Sequence, residues 1–273
     1  YRRQRQMCIR DSDNPVSFVK ELDSLFKRLD PSRLTTFATC VDQTNYLGCA
    51  DLMAWNKYFN WNDGKQIGSF MDKVKANSQN YPVGVSEYGF GGSIYQHRCP
   101  VNESEILLGR LHPEEFQTIS HEKNWEALAE RSYLWAKFIW VFADFQSVIR
   151  KEGDRDGIND KGLVTYDRQI KKDAFYFYKA NWNTEPMLHL CDSRFTERFY
   201  SITSIKAYTN LEAAILYVNG KKIGKMKRDK YNRVIWNNIL LQPGENIIRI
   251  DAKNGKKTVS YTHLRAHETS QDL

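Results

Sequence analysis

Residues 82–92 read PVGVSEYGFGG, a short apolar run that ends on a glutamate and is followed by a glycine-rich turn. The apolar part is typical of a strand that is buried on both faces of a parallel sheet. Glu87 and Tyr88 come at the carboxyl end of this strand, where parallel α/β folds carry their functional groups. A carboxylate in this position can act as a nucleophile or a general base. The spacing alone is equally compatible with a carboxylate that caps a helix or pairs with an arginine.

Three more strands are predicted from β-prone apolar runs, and predicted helices lie between them. The strands cover 33–40, 50–58 and 137–145. Apolar residues at three- and four-residue spacing predict helices over 14–29, 64–78, 113–131 and 171–182. Strands that alternate with helices and are apolar almost throughout indicate a parallel sheet covered by helices. The first part of the chain is therefore predicted to be an α/β domain.

The pattern changes after Pro186, where short alternating runs replace the helices. Asn219-Gly220 and Pro243-Gly244 separate these runs, and Asn-Gly between two alternating runs is a strong hairpin signal. The runs cover 204–209, 213–218, 234–239 and 246–250. We therefore expect a small all-β domain, built as an immunoglobulin-like sandwich, with its boundary near residues 184–190.

The composition of the chain is that of a folded globular protein, with 41% hydrophobic and 27% charged residues in a length of 273. No run approaches the roughly 18 apolar residues of a membrane span, so a membrane partner is not expected. The net charge is +7, and residues 1–12 contribute four arginines against one aspartate. Because the remaining basic residues are interleaved with acidic ones, nucleic-acid binding is not expected either.

The five cysteines form no Cys-x-x-Cys pair and show no ligand spacing with histidine. Neither a disulfide framework nor a zinc site is therefore expected, and no other metal site is indicated. The amino end lacks the apolar segment of a signal peptide, and the compartment is left open.

Both ends of the chain resemble translated sequencing-adapter sequence. We therefore expect foreign tails at 1–12 and 259–273, a partial catalytic domain at 13–185 and the β domain at 186–258. A basic targeting arm at the amino end is the alternative interpretation of the first twelve residues.

Five segments, taken together and in order, carry a family resemblance. They are Asp30–Arg33 (DPSR), Trp55–Trp61 (WNKYFNW), Ser86–Gly89 (SEYG), Phe138–Phe145 (FIWVFADF) and Asn159–Arg168 (NDKGLVTYDR). This series resembles the later half of glycoside hydrolase family 2, the β-galactosidase and β-glucuronidase family. The resemblance covers residues 13–258 and implies strands 5–8 of a (β/α)8 TIM barrel followed by the β domain. It also implies retaining hydrolysis by two carboxylates about 5 Å apart.

The resemblance assigns a role to five residues. Glu87 matches the nucleophile and Tyr58 matches the tyrosine that hydrogen-bonds it. Trp140 matches an aromatic wall of the sugar pocket, although packing within the barrel is the alternative. Asn159 and Lys161 match positions that bind the far hydroxyls or the carboxylate of the sugar, although a solvated turn is the alternative.

The acid/base glutamate of the family is the main departure, because its Asn-Glu pair stands upstream of the helix that begins here at Asn14. No such pair precedes Asn14, and Asn102-Glu103 and Asn183-Thr184-Glu185 lie in the wrong part of the order. We therefore expect a fragment that is inactive by itself. Its unpaired strand edges are expected to promote self-association.

The predicted function is that of a fragment of a retaining exo-β-glycosidase acting on terminal β-galactosides. The stretch from Asn159 to Arg168, joined to Lys171–Lys179 (KKDAFYFYK), favours galactosides, with Lys161 donating to a hydroxyl or pairing with Asp160 or Asp144. The Asn-x-Lys pattern of Asn159 and Lys161 supports a β-glucuronidase as the alternative. The expected partner is a β-linked glycoside or oligosaccharide, and the family implies a homo-oligomeric parent enzyme. The family implies no cofactor beyond a divalent or alkali ion, for which no ligand cluster is visible.

A function of a different class is a carbohydrate-binding or interaction module in which only the β domain matters. Such a module needs aromatic side chains on an exposed face. The aromatic residues available in the β domain are Tyr208, Tyr217, Tyr231 and Trp236.

Overall fold

A computed structural model of the chain describes residues 15–42, 45–59, 64–101, 110–198, 200–254 and 257–268. Residues 1–12 and the pair Asn102-Glu103, both discussed above, lie outside these ranges. The chain divides into two compact units, one of residues 1–89 and 123–140 and the other of residues 90–122 and 141–273. Within the described ranges no helix is both long enough and apolar enough to cross a membrane.

The first unit is built on a four-stranded parallel sheet in which each strand pairs with its neighbour in sequence. Its strands are β1 (Thr36–Thr39), β2 (Leu52–Asn56), β3 (Val83–Tyr88) and β4 (Leu134–Ile139). Its helices are α1 (Pro15–Leu29), α2 (Gly64–Asn77) and the second half of α3 (Glu114–Ala129). Parallel neighbours need a crossover; α2 supplies it between β2 and β3, and α3 supplies it between β3 and β4.

The core of this sheet is apolar in its two central strands. Met53 and Trp55 in β2 and Val83 and Val85 in β3 are fully buried. The indole Nε1 of Trp135 in β4 donates to the carbonyl of Met53 at 3.0 Å. Continuous apolar burial of this kind is what fixes central strands in a parallel sheet.

Helix α1 has no buried residue. Its exposed large apolar side chains are Phe18, Leu25, Phe26 and Leu29, with Leu29 exposed by 74%. Among the described residues, β1 and β4 each pair with only one strand of this sheet. An open sheet is compatible with half of a barrel, and the half-barrel itself stays a prediction.

The second unit contains the predicted β domain. Its strands are β7 (Leu188–Leu190), β8 (Glu197–Arg198), β9 (Ile202–Thr209), β10 (Ala213–Val218), β11 (Lys221–Lys227), β12 (Arg233–Leu240), β13 (Gly244–Asn254) and β14 (Lys257–Glu268). They form a five-stranded sheet, β11–β10–β13–β14–β8, and a three-stranded sheet, β12–β9–β7. Ile205 and Val234 from one sheet and Leu216 and Ile250 from the other share one apolar core. The mixed α/β class is thus confirmed, whereas a separate β domain with immunoglobulin-like topology stays a prediction.

Short elements complete the second unit. β5 (Phe145–Gln146) pairs with β6 (Ile158–Asn159), and α4 (Asp173–Trp182) precedes the β domain. The predicted domain boundary at residues 185/186 falls inside this unit.

The fourth parallel strand ends earlier than the sequence predicts, at Ile139 rather than at residue 145. After Trp140 the backbone changes its hydrogen-bonding partner. Val141 and Asp144 donate to the carbonyls of Lys161 and Val164 at 3.2 and 3.0 Å. The apolar run continues through this change, so its pattern alone could not reveal where the strand ends.

The backbone of Lys257–Glu268 pairs antiparallel with β13 along most of its length. From the sequence, the residues from 259 to 268 are assigned to a foreign tail outside the fold. In the structure their backbone is part of the five-stranded sheet.

Candidate functional site

Tyr58 and Glu87 form a hydrogen-bonded pair at the carboxyl ends of β2 and β3. The Tyr58 hydroxyl donates to Glu87 Oε2 at 2.7 Å. Tyr58 is 42% exposed and Glu87 is partly buried, so the pair is open to solvent. A hydroxyl donor at this distance orients the carboxylate that it bonds. The structure brings together the two residues that the resemblance assigns to nucleophile and nucleophile partner.

The ends of the two strands are fixed to each other by backbone and side-chain bonds. Asn56 lies opposite Glu87, after a shift of register between Trp55 and Asn56. The Lys57 N–H donates to the Glu87 carbonyl at 2.8 Å, and the Ser86 hydroxyl donates to Asn56 Oδ1 at 2.7 Å. A bulge at the end of a strand re-aims the side chains that follow it. This local irregularity places Tyr58 beside Glu87.

Trp140 follows β4 directly and stands beside the end of β3. Its backbone N–H donates to the carbonyl of Tyr88 at 2.8 Å, and its side chain is partly buried. Trp140 is thus one strand away from Glu87 at the same edge of the sheet. Whether its ring lines a sugar pocket or packs in the barrel stays a prediction.

Asn159 and Lys161 lie in the second unit. Asn159 is the last residue of β6 and is 4% exposed, so a solvated turn does not describe it. Its Oδ1 accepts a hydrogen bond from the Lys161 N–H at 3.1 Å. This bond shapes the turn that carries the partly buried Lys161 side chain.

A buried polar network that the sequence analysis missed supports this turn. Lys172 Nζ donates to Asp144 Oδ1 at 2.8 Å, and His112 Nδ1 lies 2.8 Å from Asp160 Oδ2. Gln117 Nε2 donates to the carbonyl of Gly162 at 3.1 Å. The two carboxylates suggested above as partners of Lys161 are thus bonded to other residues. The sequence offers little signal for this network, because its members are scattered over 61 positions, from residue 112 to residue 172.

Burial and pairing act differently on the two carboxyl groups. Burial raises the pKa of Asp144 to about 6, against the lowering effects of the Lys172 ammonium and the Gly162 N–H. Burial alone also raises the pKa of Asp160, but the hydrogen bond from His112 and the nearby positive charges outweigh burial and hold that pKa below its ordinary value. Asp160 is therefore held as an anion, whereas Asp144 changes its charge near pH 6.

Glycines allow the turn to approach its surroundings closely. A Cβ on Gly162 would overlap the backbone nitrogen of Asp144, and a Cβ on Gly91 or Gly153 would overlap the Asp160 carboxylate. Gly153 also has a φ of +73°, a conformation that favours glycine. No side chain can be added at these three positions without moving the network.

A small polar cavity of about 120 Å³ adjoins the network in the second unit. Asp144 and Lys172 line it together with Tyr95, Tyr166 and Asp167. Within the described ranges, no group of three or more His, Cys, Asp and Glu side chains is arranged to hold a metal ion.

Comparisons with known proteins identify the class to which this fold and these residues correspond. Residues 201–259 match the model of a family described as a domain of unknown function, DUF4982. A β-glucuronidase of Bacteroides fragilis is 44% identical over 252 residues, which make up 91% of this chain and 36% of that protein. A crystal structure of a candidate β-galactosidase from Bacteroides fragilis matches with a TM-score of 0.85 at 25% identity, over 93% of this chain and 38% of that one.

A second solved structure, Bacteroides uniformis β-glucuronidase 2 covalently bound to cyclophellitol-6-carboxylate aziridine, matches with a TM-score of 0.82 at 26% identity. The match covers 93% of this chain and 31% of that one. The chain is thus homologous to β-glucuronidases and β-galactosidases and shares their fold over about a third of their length.

The comparisons do not support the predicted preference for galactosides. The curated relative that is 44% identical is a β-glucuronidase, which fits the alternative reading of Asn159 and Lys161 better. The prediction of a galactoside preference relies on the residues that follow the Asn-x-Lys motif, whereas the motif itself favours a glucuronide.

Proposed function

We propose that this chain is part of a retaining β-glucuronidase of glycoside hydrolase family 2, with Glu87 as the nucleophile. The observation that carries the proposal is the 2.7 Å hydrogen bond from Tyr58 to Glu87 at the ends of adjacent parallel strands. The homology to β-glucuronidases supports the same reaction.

Glu87 attacks the anomeric carbon of the sugar and displaces the aglycone, forming a covalent glycosyl-enzyme that water then hydrolyses. The Tyr58 hydroxyl orients the carboxylate before the attack. Trp140, at the same edge of the sheet, provides an aromatic wall for the sugar ring.

The reaction also needs a second carboxyl group, about 5 Å from the nucleophile, to protonate the leaving oxygen. We assign this group to the part of the longer relatives that lies outside the segment matched by this chain. The catalytic experiments below therefore use a full-length parent protein that contains this chain.

Lys161 and Asn159 recognise the carboxylate that distinguishes a glucuronide from a galactoside. An ammonium facing a carboxylate forms a strong charge-assisted hydrogen bond, and an amide adds a neutral donor. The Asn159 Oδ1 is engaged by the Lys161 N–H, so the Asn159 side-chain amide NH₂ is the group that donates to the substrate.

Covalent labelling tests the nucleophile. Incubation with cyclophellitol-6-carboxylate aziridine is expected to add one label to the peptide that contains Glu87, as read by intact and peptide mass spectrometry. Glu87→Gln is expected to remove the label and to lower kcat by at least about 100-fold, close to 3 kcal/mol. Glu185→Gln, at an exposed glutamate of the same chain, is the matched control and should react like the wild type. A label on another carboxylate would overturn the assignment.

Steady-state kinetics test the substrate. The kcat/KM for an aryl β-glucuronide is expected to exceed that for the matching β-galactoside. Lys161→Ala should remove this preference by about 100-fold, close to 3 kcal/mol, because the sugar carboxylate loses its cation. Lys151→Ala, at an exposed lysine of the same unit, should leave the ratio unchanged.

A β-galactosidase is the second candidate function, since one of the matching structures is a candidate β-galactosidase. A galactoside preference that survives Lys161→Ala would favour it over the glucuronidase. A binding module without catalysis has less support, because Tyr208, Tyr231 and Trp236 are buried and, of the four aromatic residues, Tyr217 alone is partly exposed.

A further inference from the structure

The buried ion pair of Lys172 and Asp144 contacts the turn that carries Lys161. Lys172 Nζ donates to the carbonyl oxygen of Asp160 at 2.9 Å and to Asp144 Oδ1 at 2.8 Å. The same Asp144 oxygen accepts the N–H of Gly162 at 2.8 Å. The carbonyl of Asp160 and the N–H of Gly162 belong to the two peptide groups on either side of Lys161. The ion pair therefore fixes both peptide groups that flank the proposed recognition lysine.

Both side chains of this ion pair are almost fully buried. The Lys172 side chain is 1% exposed and the Asp144 side chain 7%. A buried lysine is costly unless its ammonium is paired and its remaining protons are bonded. Lys172 meets this requirement with one carboxylate and one backbone carbonyl. The position of Lys172 therefore depends on the conformation of the turn, and that conformation depends on Lys172.

The charge balance also concerns Lys161. Because Asp144 pairs with Lys172 and Asp160 is bonded to His112, the carboxylates next to the turn are engaged by other side chains. Without Lys172, Asp144 would have no buried cation and could attract the Lys161 ammonium instead.

We propose that Lys172 is a positioning residue that holds Lys161 in place for recognition of the substrate carboxylate. The inference rests on the proposed function, in which Lys161 binds that carboxylate. Lys172 acts through the Asp144 carboxylate and the Asp160 carbonyl, and it touches no reacting atom.

The test compares two buried lysine–carboxylate pairs of the second unit in the full-length protein. The first variant, Asp144→Asn with Lys172→Met, removes both charges of the pair and leaves an amide oxygen to accept the Gly162 N–H. The control, Glu122→Gln with Lys206→Met, removes a pair that is equally close, with its atoms 2.8 Å apart. Lys172→Arg keeps the positive charge and serves as the conservative variant.

The first variant is expected to raise KM for an aryl β-glucuronide by at least about 10-fold with kcat within about 3-fold, and to lower the glucuronide-to-galactoside ratio by about 10-fold. The control should lower Tm without changing KM or the glucuronide-to-galactoside ratio. Lys172→Arg should have a KM within about 3-fold of the wild-type value. Unchanged KM and ratio in the first variant, with only a lower Tm, would overturn the proposal.

Hydrogen exchange separates this proposal from the proposed function. The amides of residues 160–163 should exchange at least about 10-fold faster in the first variant than in the control, even in a protein that shows no glucuronidase activity. A protein that neither hydrolyses the glucuronide nor labels at Glu87 refutes the proposed function. Equal exchange in the two double variants refutes the role of Lys172.

Discussion

At the scale of single residues, the Tyr58 hydroxyl orients the Glu87 carboxylate. It is a neutral donor 2.7 Å from the carboxylate, in a setting that is open to solvent. A fixed donor restricts the rotation of the carboxylate that it bonds, and correct orientation of a reacting group contributes to rate. Its removal should therefore lower the rate of turnover.

Tyr58→Phe in the full-length protein should lower kcat by about 10- to 100-fold, because an oriented charge-assisted hydrogen bond is lost. Initial rates with an aryl β-glucuronide at neutral pH measure this loss. Tyr200→Phe, at a tyrosine that is 59% exposed, is the control, and an unchanged kcat in Tyr58→Phe would contradict the role of Tyr58.

Single residues differ in how far the sequence could predict them. Glu87 and Tyr58 follow predicted strands, and the rule that parallel strands end at a common edge brings them together without any knowledge of packing. Lys172 and His112 could not be found in this way. Each contacts a residue more than ten positions away, and the neighbouring sequence does not show whether a lysine or histidine is buried.

At the scale of elements, helix α3 anchors part of the β domain through buried polar groups. Glu122 accepts hydrogen bonds from Lys206 and Tyr208 of β9, and Arg233 of β12 lies 3.5 Å from its second oxygen. Burial alone would lower the pKa of Lys206, but the Glu122 charge and hydrogen bond outweigh burial and hold it above its ordinary value. The lysine thus keeps its charge in the folded protein.

Glu122→Gln should destabilise the protein by about 3 kcal/mol, because it leaves Lys206 as a buried cation without its carboxylate. Thermal unfolding followed by circular dichroism should show a Tm lower by about 6 to 12 °C. Glu126→Gln, one turn further along α3, removes the charge of a 4.0 Å surface pair with Lys123 and should change stability by less than about 1 kcal/mol. Equal Tm values for the two variants would contradict the role of Glu122.

Helix α3 also shows where element prediction stops. Its position was predicted to within two residues, since 113–131 compares with Glu114–Ala129. Its polar residues are mostly buried, however, including Glu114, Gln117 and His121. Polarity normally indicates a solvated helix face, and only the partners on distant strands and helices explain why this face is buried. β11 is absent from the predicted strands. It lies at the edge of the five-stranded sheet, and its lysine-rich sequence lacks the apolar pattern that predicts a strand.

At the scale of the whole molecule, the second unit concentrates charged groups around the start of α4. Asp173 is fully buried and lies 2.8 Å from His189 Nε2, and its second oxygen accepts the Asp192 N–H at 2.7 Å. Arg194 bridges Asp173 and Glu114. Burial opposes ionisation, but the bonds from His189 and Asp192 and the charge of Arg194 outweigh it and lower the pKa of Asp173 to about 2.

The lowered pKa of Asp173 makes a prediction about acid stability. An acid whose pKa is lower in the folded state stabilises the fold above about pH 4, and this contribution is lost as the pH falls towards the folded value. The wild type should therefore lose Tm more steeply between about pH 4 and pH 2 than Asp173→Asn, which has no carboxyl group to take up a proton. Asp156→Asn, at an exposed ion pair with Arg110, should follow the wild type, and parallel Tm curves for all three proteins would contradict the prediction.

The glycines around the Lys161 turn bear on how substrate preference can be altered. A single methyl group on Gly91, Gly153 or Gly162 would collide with the polar network, so a larger residue at these positions forces the network to shift. If Asn159 and Lys161 recognise the sugar as proposed, directed evolution towards new sugars would act through these two side chains rather than through the glycines. We expect libraries randomised at these two positions to yield folded variants with altered selectivity. Libraries randomised at the three glycines should yield mainly unfolded protein.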